Sequence, residues 1–104
     1  MRKFICIAAV AMLVATGASA APSHHGLKGA RLAPMAKVSL ATARARALAA
    51  RPGVITDQEL EKESGGTGLR YSFDIKSNGK TFEVGVDART GKVLENGVEG
   101  PNAD

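Results

Sequence analysis

Apolar and polar residues alternate along residues 69–94 of the chain. A period of two residues is typical of a pleated strand that turns one face to a core and the other to water. The alternation is interrupted at Asn78-Gly79, the most characteristic pair of a two-residue hairpin because both positions accept positive φ. A second turn at residues 89–92 leads into a further short apolar run. The pattern predicts an antiparallel meander with one buried face, formed by Leu69, Tyr71, Phe73, Ile75, Phe82, Val84 and Val86.

Strong helix formers dominate the stretch that precedes the meander. Ser39 stands immediately before them, and its hydroxyl can accept a hydrogen bond from a backbone N–H of the first turn. Pro52 ends the segment, because the residue before a proline avoids helical dihedrals. We therefore predict one helix from Leu40 to Ala50. Its alanine-rich side would allow a close approach to the apolar face of the sheet.

Residues 54–63, between the helix and the meander, are open to two interpretations. Their alternation predicts a first strand, whereas a helix over residues 57–63, capped by Thr56 or Asp57, is the alternative. With a strand here, the prediction is an α+β domain in which one α-helix packs on a four-stranded antiparallel sheet. This domain would cover residues 37–95.

The N-terminus has the three parts of a secretory signal peptide. A basic start is followed by an apolar run over residues 4–14 and by small residues up to Ala20. We predict cleavage between Ala20 and Ala21, which removes residues 1–20 and makes the protein periplasmic or secreted. The apolar run is too short to span a bilayer comfortably, so we expect no stable membrane anchor after cleavage.

The composition of the predicted mature chain narrows the classes of function. Removal of the signal leaves 84 residues, enough for one small domain, with twelve basic and ten acidic side chains. This small net charge gives no reason to expect nucleic acid as a partner. Cys6 is the only cysteine and would leave with the signal, so a disulfide and a thiolate metal site are excluded.

Residues 21–36 and 96–104 contain several glycines and prolines, and we predict a flexible leader and a flexible tail.

Several motifs of this chain resemble those of the PepSY domain, a small module of secreted and periplasmic bacterial proteins. The resemblance covers residues 37–95, and its most specific part is the turn at residues 87–94. The motifs are V-S-L-A-T-A-R-A-R-A-L, P-G-V-I, E-L-E-K-E, Y-S-F-D-I, F-E-V-G-V-D and D-A-R-T-G-K-V-L. The resemblance implies a non-catalytic unit of the kind found in metallopeptidase propeptides, where it restrains a protease or binds a partner. No peptidase domain follows in this sequence, so we expect the target to be another chain.

The polar side of the predicted sheet is the first candidate site. Asp74, Glu83 and Asp87 alternate with the buried residues, and a first strand would add Glu61 with its neighbours Glu59 and Glu63. One interpretation is a solvated face that keeps the sheet soluble, since antiparallel sheets commonly leave one face wet. The functional hypothesis is that Asp74, Glu83, Asp87 and Glu61 bind a protein partner. Catalysis by paired carboxylates would need an apolar pocket, which an open face does not supply.

His24 and His25 are the second candidate site. Adjacent histidines near a free N-terminus can bind copper or zinc, although two ligands fall short of the four that a closed zinc site uses. We therefore expect no cofactor. The favoured function is binding and modulation of a protein such as a peptidase, without catalysis. The alternatives are a periplasmic metal-handling or envelope-stress protein that binds a cation, and a structural protein that self-associates as a weak homo-oligomer.

Overall fold

The computed structural model describes residues 26–99. The predicted signal peptide, the Ala20–Ala21 cleavage site and the histidine pair His24-His25 all lie outside these residues. The described elements, in chain order, are strand β1 (Leu27–Lys28), a 3-10 helix (Ala30–Met35), helix α1 (Leu40–Ala50) and strands β2 (Val54–Lys62), β3 (Leu69–Ser77), β4 (Lys80–Asp87) and β5 (Val93–Val98).

The strands form one five-stranded sheet in the order β1-β2-β3-β4-β5. Strands β2 to β5 are antiparallel neighbours, and the short β1 lies parallel to β2. Within residues 26–99, the α+β class, the one α-helix and the four antiparallel strands are therefore confirmed. Residues 54–62 form a strand and not the alternative helix. The sheet is mixed because of β1, which the sequence analysis did not predict.

The described part of the predicted leader is not an unstructured segment. Leu27 is buried in the core, and the 3-10 helix follows directly after β1. Gly29 has φ 77° and lies so close to β2 that a side chain there would overlap the carbonyl oxygen of Leu60. Lys28 also pairs with Asp57 at 2.9 Å. The glycine content that indicated flexibility instead permits this close contact between the segment and the edge of the sheet.

The predicted start of the flexible tail is also wrong, because β5 runs on to Val98. Asn96 and Gly97 pair with Val84 and Glu83 of the neighbouring strand. Both residue types are poor strand formers, which is why the sequence pattern ended the strand too early. Here the backbone hydrogen bonds to β4 outweigh the low strand propensity of Asn96 and Gly97.

Helix α1 packs across one face of the sheet. Ser39 caps it, with its Oγ accepting a hydrogen bond from the Thr42 N–H at 3.0 Å. Ala43 and Ala47 are fully buried, so the helix lies close to the strands as the alanine-rich side predicted. Tyr71 fixes the chain just before the helix, since its hydroxyl donates to the Val38 carbonyl at 2.8 Å. The buried core contains Leu27, Leu40, Ala43, Ala47, Leu60, Leu69, Tyr71, Phe73, Ile75, Val84, Val86 and Ala88.

The β3–β4 hairpin turns at the predicted Asn78-Gly79 pair. Both residues have positive φ, 54° and 78°, as a two-residue hairpin loop of this kind requires. The turn sets the register of the long central pair, in which Phe73 lies opposite Val84. This register places all the large apolar side chains of β3 and β4 on the α1 side and leaves Ser72, Asp74 and Glu83 on the opposite face.

Candidate functional site: an acidic sheet face

The sheet face that points away from α1 carries eight of the nine acidic side chains in residues 26–99. We call this surface the acidic face. It forms an open depression of about 550 Å³ that is lined by side chains from β2, β3 and β4 and from the edge of β5. Its members are Asp57, Glu59, Glu61, Glu63, Ser72, Asp74, Glu83, Glu95 and Glu99.

The strand register brings like charges together on this face. Asp74 lies directly opposite Asp57 on one side and opposite Glu83 on the other. Like charges in directly opposed positions destabilise a sheet, and here the Lys28–Asp57 ion pair at the β1 edge offsets the repulsion around Asp74 only in part. A surface selected only for solubility would be expected to mix charges of both signs.

The pKa values of two carboxyls reflect this crowding. Partial burial, followed by the charge of Asp57, raises the pKa of Asp74, while Lys28 acts in the opposite direction. Partial burial also raises the pKa of Glu83, and the charge of Glu95 adds to the effect. Both carboxylates would therefore be stabilised by a positive charge placed over the centre of the acidic face.

Arg70 lies at one end of the acidic face and was not singled out by the sequence analysis. It is only 8% exposed, and its guanidinium donates to Glu95 and to the Ser64 carbonyl, each at 3.2 Å. The side chain lies across Gly85, where a Cβ would come within 3.2 Å of the guanidinium. The signal that could have revealed this arrangement is the glycine inside a strand, which is typical of a site where another group approaches the backbone closely.

The structure brings Asp74, Glu83 and Glu61 together on the acidic face, where the alternation placed them. Glu61 also accepts a hydrogen bond from the Ser72 hydroxyl at 2.6 Å, which orients its carboxylate on the face. The three residues are partly exposed, so a partner can reach them. Their role in binding stays a prediction.

Asp87, the fourth residue of the predicted set, is not available to a partner. It is 1% exposed and lies under the loop that joins β2 to β3. Its carboxylate accepts hydrogen bonds from the N–H and the hydroxyl of Thr67, at 2.6 and 2.9 Å, and from the N–H groups of Arg89 and Thr90, at 2.8 and 3.0 Å. Asp87 therefore joins this loop to the β4–β5 turn, and its role is structural.

The ionised form of Asp87 is strongly favoured in the folded protein. Burial alone would raise the pKa of the carboxyl, but hydrogen bonds from Thr67, Arg89 and Thr90 outweigh it and lower the pKa to about 2. The alternation assigned Asp87 to the polar side correctly. It could not show that the β2–β3 loop covers this end of the face.

Two further features concern metals and membranes. Residues 26–99 contain no group of three or more histidine, cysteine, aspartate or glutamate side chains arranged to hold a metal ion. His24 and His25 precede this segment, so their proposed metal binding stays a prediction. Within the same residues, no helix has both the length and the apolar character needed to cross a bilayer.

The family model described as "Peptidase propeptide and YPEB domain", or PepSY, matches residues 37–96. The chain belongs to the PepSY family. The match spans α1 and all four antiparallel strands up to the middle of β5, so the acidic face is contained almost wholly within the PepSY domain. No curated protein sequence and no solved structure matches the chain.

Proposed function

We propose that this protein is an exported, non-catalytic PepSY module that binds a protein partner, a peptidase in trans, and modulates its activity. The observation that carries the proposal is the family match, because the family is described by its occurrence in peptidase propeptides. The N-terminal pattern of a basic start, an apolar run and small residues supports export.

The acidic face is the contact surface that best suits this function. Asp74, Glu83 and Glu61 present partly solvated carboxylates on a rigid sheet, without an enclosed apolar pocket in which one of them could serve as a general acid. A basic surface of the partner would relieve the repulsion between these carboxylates. Such charge complementarity favours fast association and selects against acidic partners.

Titration of the casein-degrading activity of a cell-envelope fraction with the purified mature protein tests the proposal. We expect a saturable reduction of activity that persists in the presence of a chelator chosen not to inhibit the peptidase itself. A combined variant with Asp74→Asn, Glu83→Gln and Glu61→Gln should require at least about tenfold more protein for the same reduction, which corresponds to about 1.4 kcal/mol of binding free energy.

A matched control separates the acidic face from net charge alone. Replacement of the exposed helix residues Ala41, Ala45 and Ala49 by lysine changes the net charge by the same amount on the other side of the domain. This control should modulate the peptidase like the wild-type protein. Equal loss of effect in both variants would show that only overall charge matters, and no effect of the wild-type protein on any peptidase activity would contradict the proposed function.

A further inference from the structure

The two edges of the sheet are protected to different degrees. At one edge, β2 is covered by β1 and by the 3-10 helix, and a salt bridge joins Lys28 to Asp57. At the other edge, β5 is the last strand of the sheet formed by residues 26–99. Natural proteins usually cover or charge a strand edge, because its free backbone groups can pair with another chain.

The ladder between β4 and β5 determines which backbone groups of β5 point outward. The Glu99 N–H donates to the Thr81 carbonyl at 2.9 Å, so Glu99 turns its backbone groups toward β4. Backbone direction alternates along an antiparallel strand, so Gly97 also faces β4, while Asn96 and Val98 direct their N–H and C=O groups to the open edge.

The two faces beside this edge have different chemistry. On the acidic face, Glu95 and Glu99 flank Gly97, which lies opposite Glu83. Gly97 has no heavy atom within 4 Å of the place where its Cβ would stand, so there is room above it for a side chain from a neighbouring strand. A cation placed there would lie between three carboxylates, of which Glu95 is also paired with Arg70.

The α1 side of the same edge offers an apolar contact at Val98, next to the polar pair Arg51 and Asn96. Val98 is 58% exposed and pairs with Phe82, whose ring is covered by the Arg51 guanidinium at 3.8 Å from its centre. Asn96 is held on this side by Arg51 and by the Ala50 carbonyl. The exposed side chain of Val98 therefore stands beside a position where an apolar residue of an added strand would pack.

We propose that β5 is a docking edge for an extended segment of the partner in which basic residues alternate with apolar residues. The segment pairs with the backbone of Asn96 and Val98, directs its basic side chains to Glu83, Glu95 and Glu99, and packs its apolar side chains against Val98. This is strand addition, in which main-chain hydrogen bonds supply affinity and alternate side chains supply specificity. The proposal rests on the proposed function, since it names the part of the partner that binds.

Two synthetic peptides test the alternation directly. The first is a labelled seven-residue peptide of alternating lysine and valine with blocked ends, and the second has the same composition with its lysines and valines in two blocks. Fluorescence anisotropy with the mature protein should show binding of the alternating peptide at least about tenfold tighter than of the block peptide. Equal binding of the two peptides would mean attraction by charge alone and would overturn the proposal.

Substitutions at Val98 test the edge. Val98→Pro removes an outward N–H and leaves the ladder to β4 intact, since proline is tolerated where the N–H of an edge strand faces solvent. Val98→Thr keeps the N–H and a similar shape, and it serves as the control. We expect Val98→Pro to weaken binding of the alternating peptide by about tenfold or more, and Val98→Thr to weaken it by less than about threefold. Circular dichroism confirms that both variants are folded.

The result for Val98→Pro also separates this proposal from the proposed function. If the folded Val98→Pro variant binds the alternating peptide like the wild-type protein, the docking edge is refuted. If it also modulates the peptidase like the wild-type protein, the proposed function stands and the contact lies elsewhere. If Val98→Pro loses both peptide binding and peptidase modulation while Val98→Thr retains both, the two proposals are supported together.

Discussion

Asp87 should be the acidic residue whose replacement costs the most stability. In Asp87→Asn, the amide oxygen must stay near the donors of Arg89 and Thr90 to preserve the β4–β5 turn. The amide NH2 group then faces the N–H of Thr67, so one hydrogen bond is lost and two donors are brought together. A hydrogen bond to a charged group contributes about 1.5–3 kcal/mol, and the remaining bonds weaken when the acceptor becomes neutral. We expect a loss of about 2–4 kcal/mol at neutral pH.

The pH dependence of this loss follows from the low pKa of Asp87. A carboxyl whose pKa is lower in the folded state than in the unfolded state stabilises the fold above the unfolded value. That contribution is lost as the pH falls from about 4, the unfolded value, to about 2 in the folded protein. The difference in stability between the wild-type protein and Asp87→Asn should therefore be constant from pH 7 to pH 5 and should shrink between pH 4 and pH 2.

Urea denaturation followed by far-ultraviolet circular dichroism measures the free energy of unfolding at each pH. The fluorescence of Tyr71, the only tyrosine, provides a second probe from the core. Asp57→Asn is the control, because Asp57 is partly exposed and its ion pair with Lys28 should contribute less than about 1 kcal/mol. A loss below about 0.5 kcal/mol in Asp87→Asn at pH 7, or a loss that is the same at pH 2.5, would refute the structural role of the Asp87 carboxylate.

Three further predictions concern the loop, the acidic face and the helix. In urea titrations, Gly66→Ala should destabilise the fold by at least about 1 kcal/mol more than the control Gly68→Ala. Both glycines have positive φ, but only the substitution at Gly66 places a Cβ against Asp87. Equal losses of stability in the two variants would contradict this. Glu83→Gln should raise the free energy of unfolding slightly at pH 7, by a few tenths of a kcal/mol. The raised pKa of Glu83 makes its ionised form unfavourable to folding, so this gain should vanish as the pH falls through that pKa, and a gain that persists at pH 3 would argue against the cause. Ser39→Ala should lower the free energy of unfolding by about 1 kcal/mol through loss of the helix cap, and Ser39→Asp should restore most of that stability. An alanine variant as stable as the wild-type protein would show that the cap is not needed.

The parts of the fold that depend on local chemistry could be predicted from the sequence. Ser39 and Pro52 mark the two ends of the helix, because N-capping and the exclusion of helical dihedrals before proline act over only a few residues. Asn78-Gly79 determines the hairpin for the same reason. From these points the register of β3 and β4 follows, and with it the shared face of Asp74 and Glu83.

The parts that depend on contacts between distant segments could not be predicted. Leu27 is buried because the chain before α1 happens to lie along β2, and nothing near Leu27 in the sequence indicates this. A register shift between Ile55 and Asp57 turns Ile55 toward the core, whereas strict alternation with Asp57 would place it on the acidic face. Arg70 and Asp87 were hidden for a related reason, since Arg70 pairs with Glu95 of a distant strand and Asp87 is covered by the distant β2–β3 loop.

The separation of charges between the two layers has a consequence for how this domain meets other molecules. Eight carboxylates lie on one side of the sheet, while Arg44 and Arg46 belong to the helix on the other side and Arg51 follows directly after it. The domain therefore has a dipole moment directed from the acidic face toward the helix, which the ion pairs of Lys28 and Arg70 with that face reduce but do not cancel. In the field of a charged protein or of an anionic lipid surface it will experience a torque, and it will be rotated before any atoms touch. Because this orientation is lost as salt shortens the range of the field, the rate of encounter should fall more steeply with ionic strength than the modest net charge suggests.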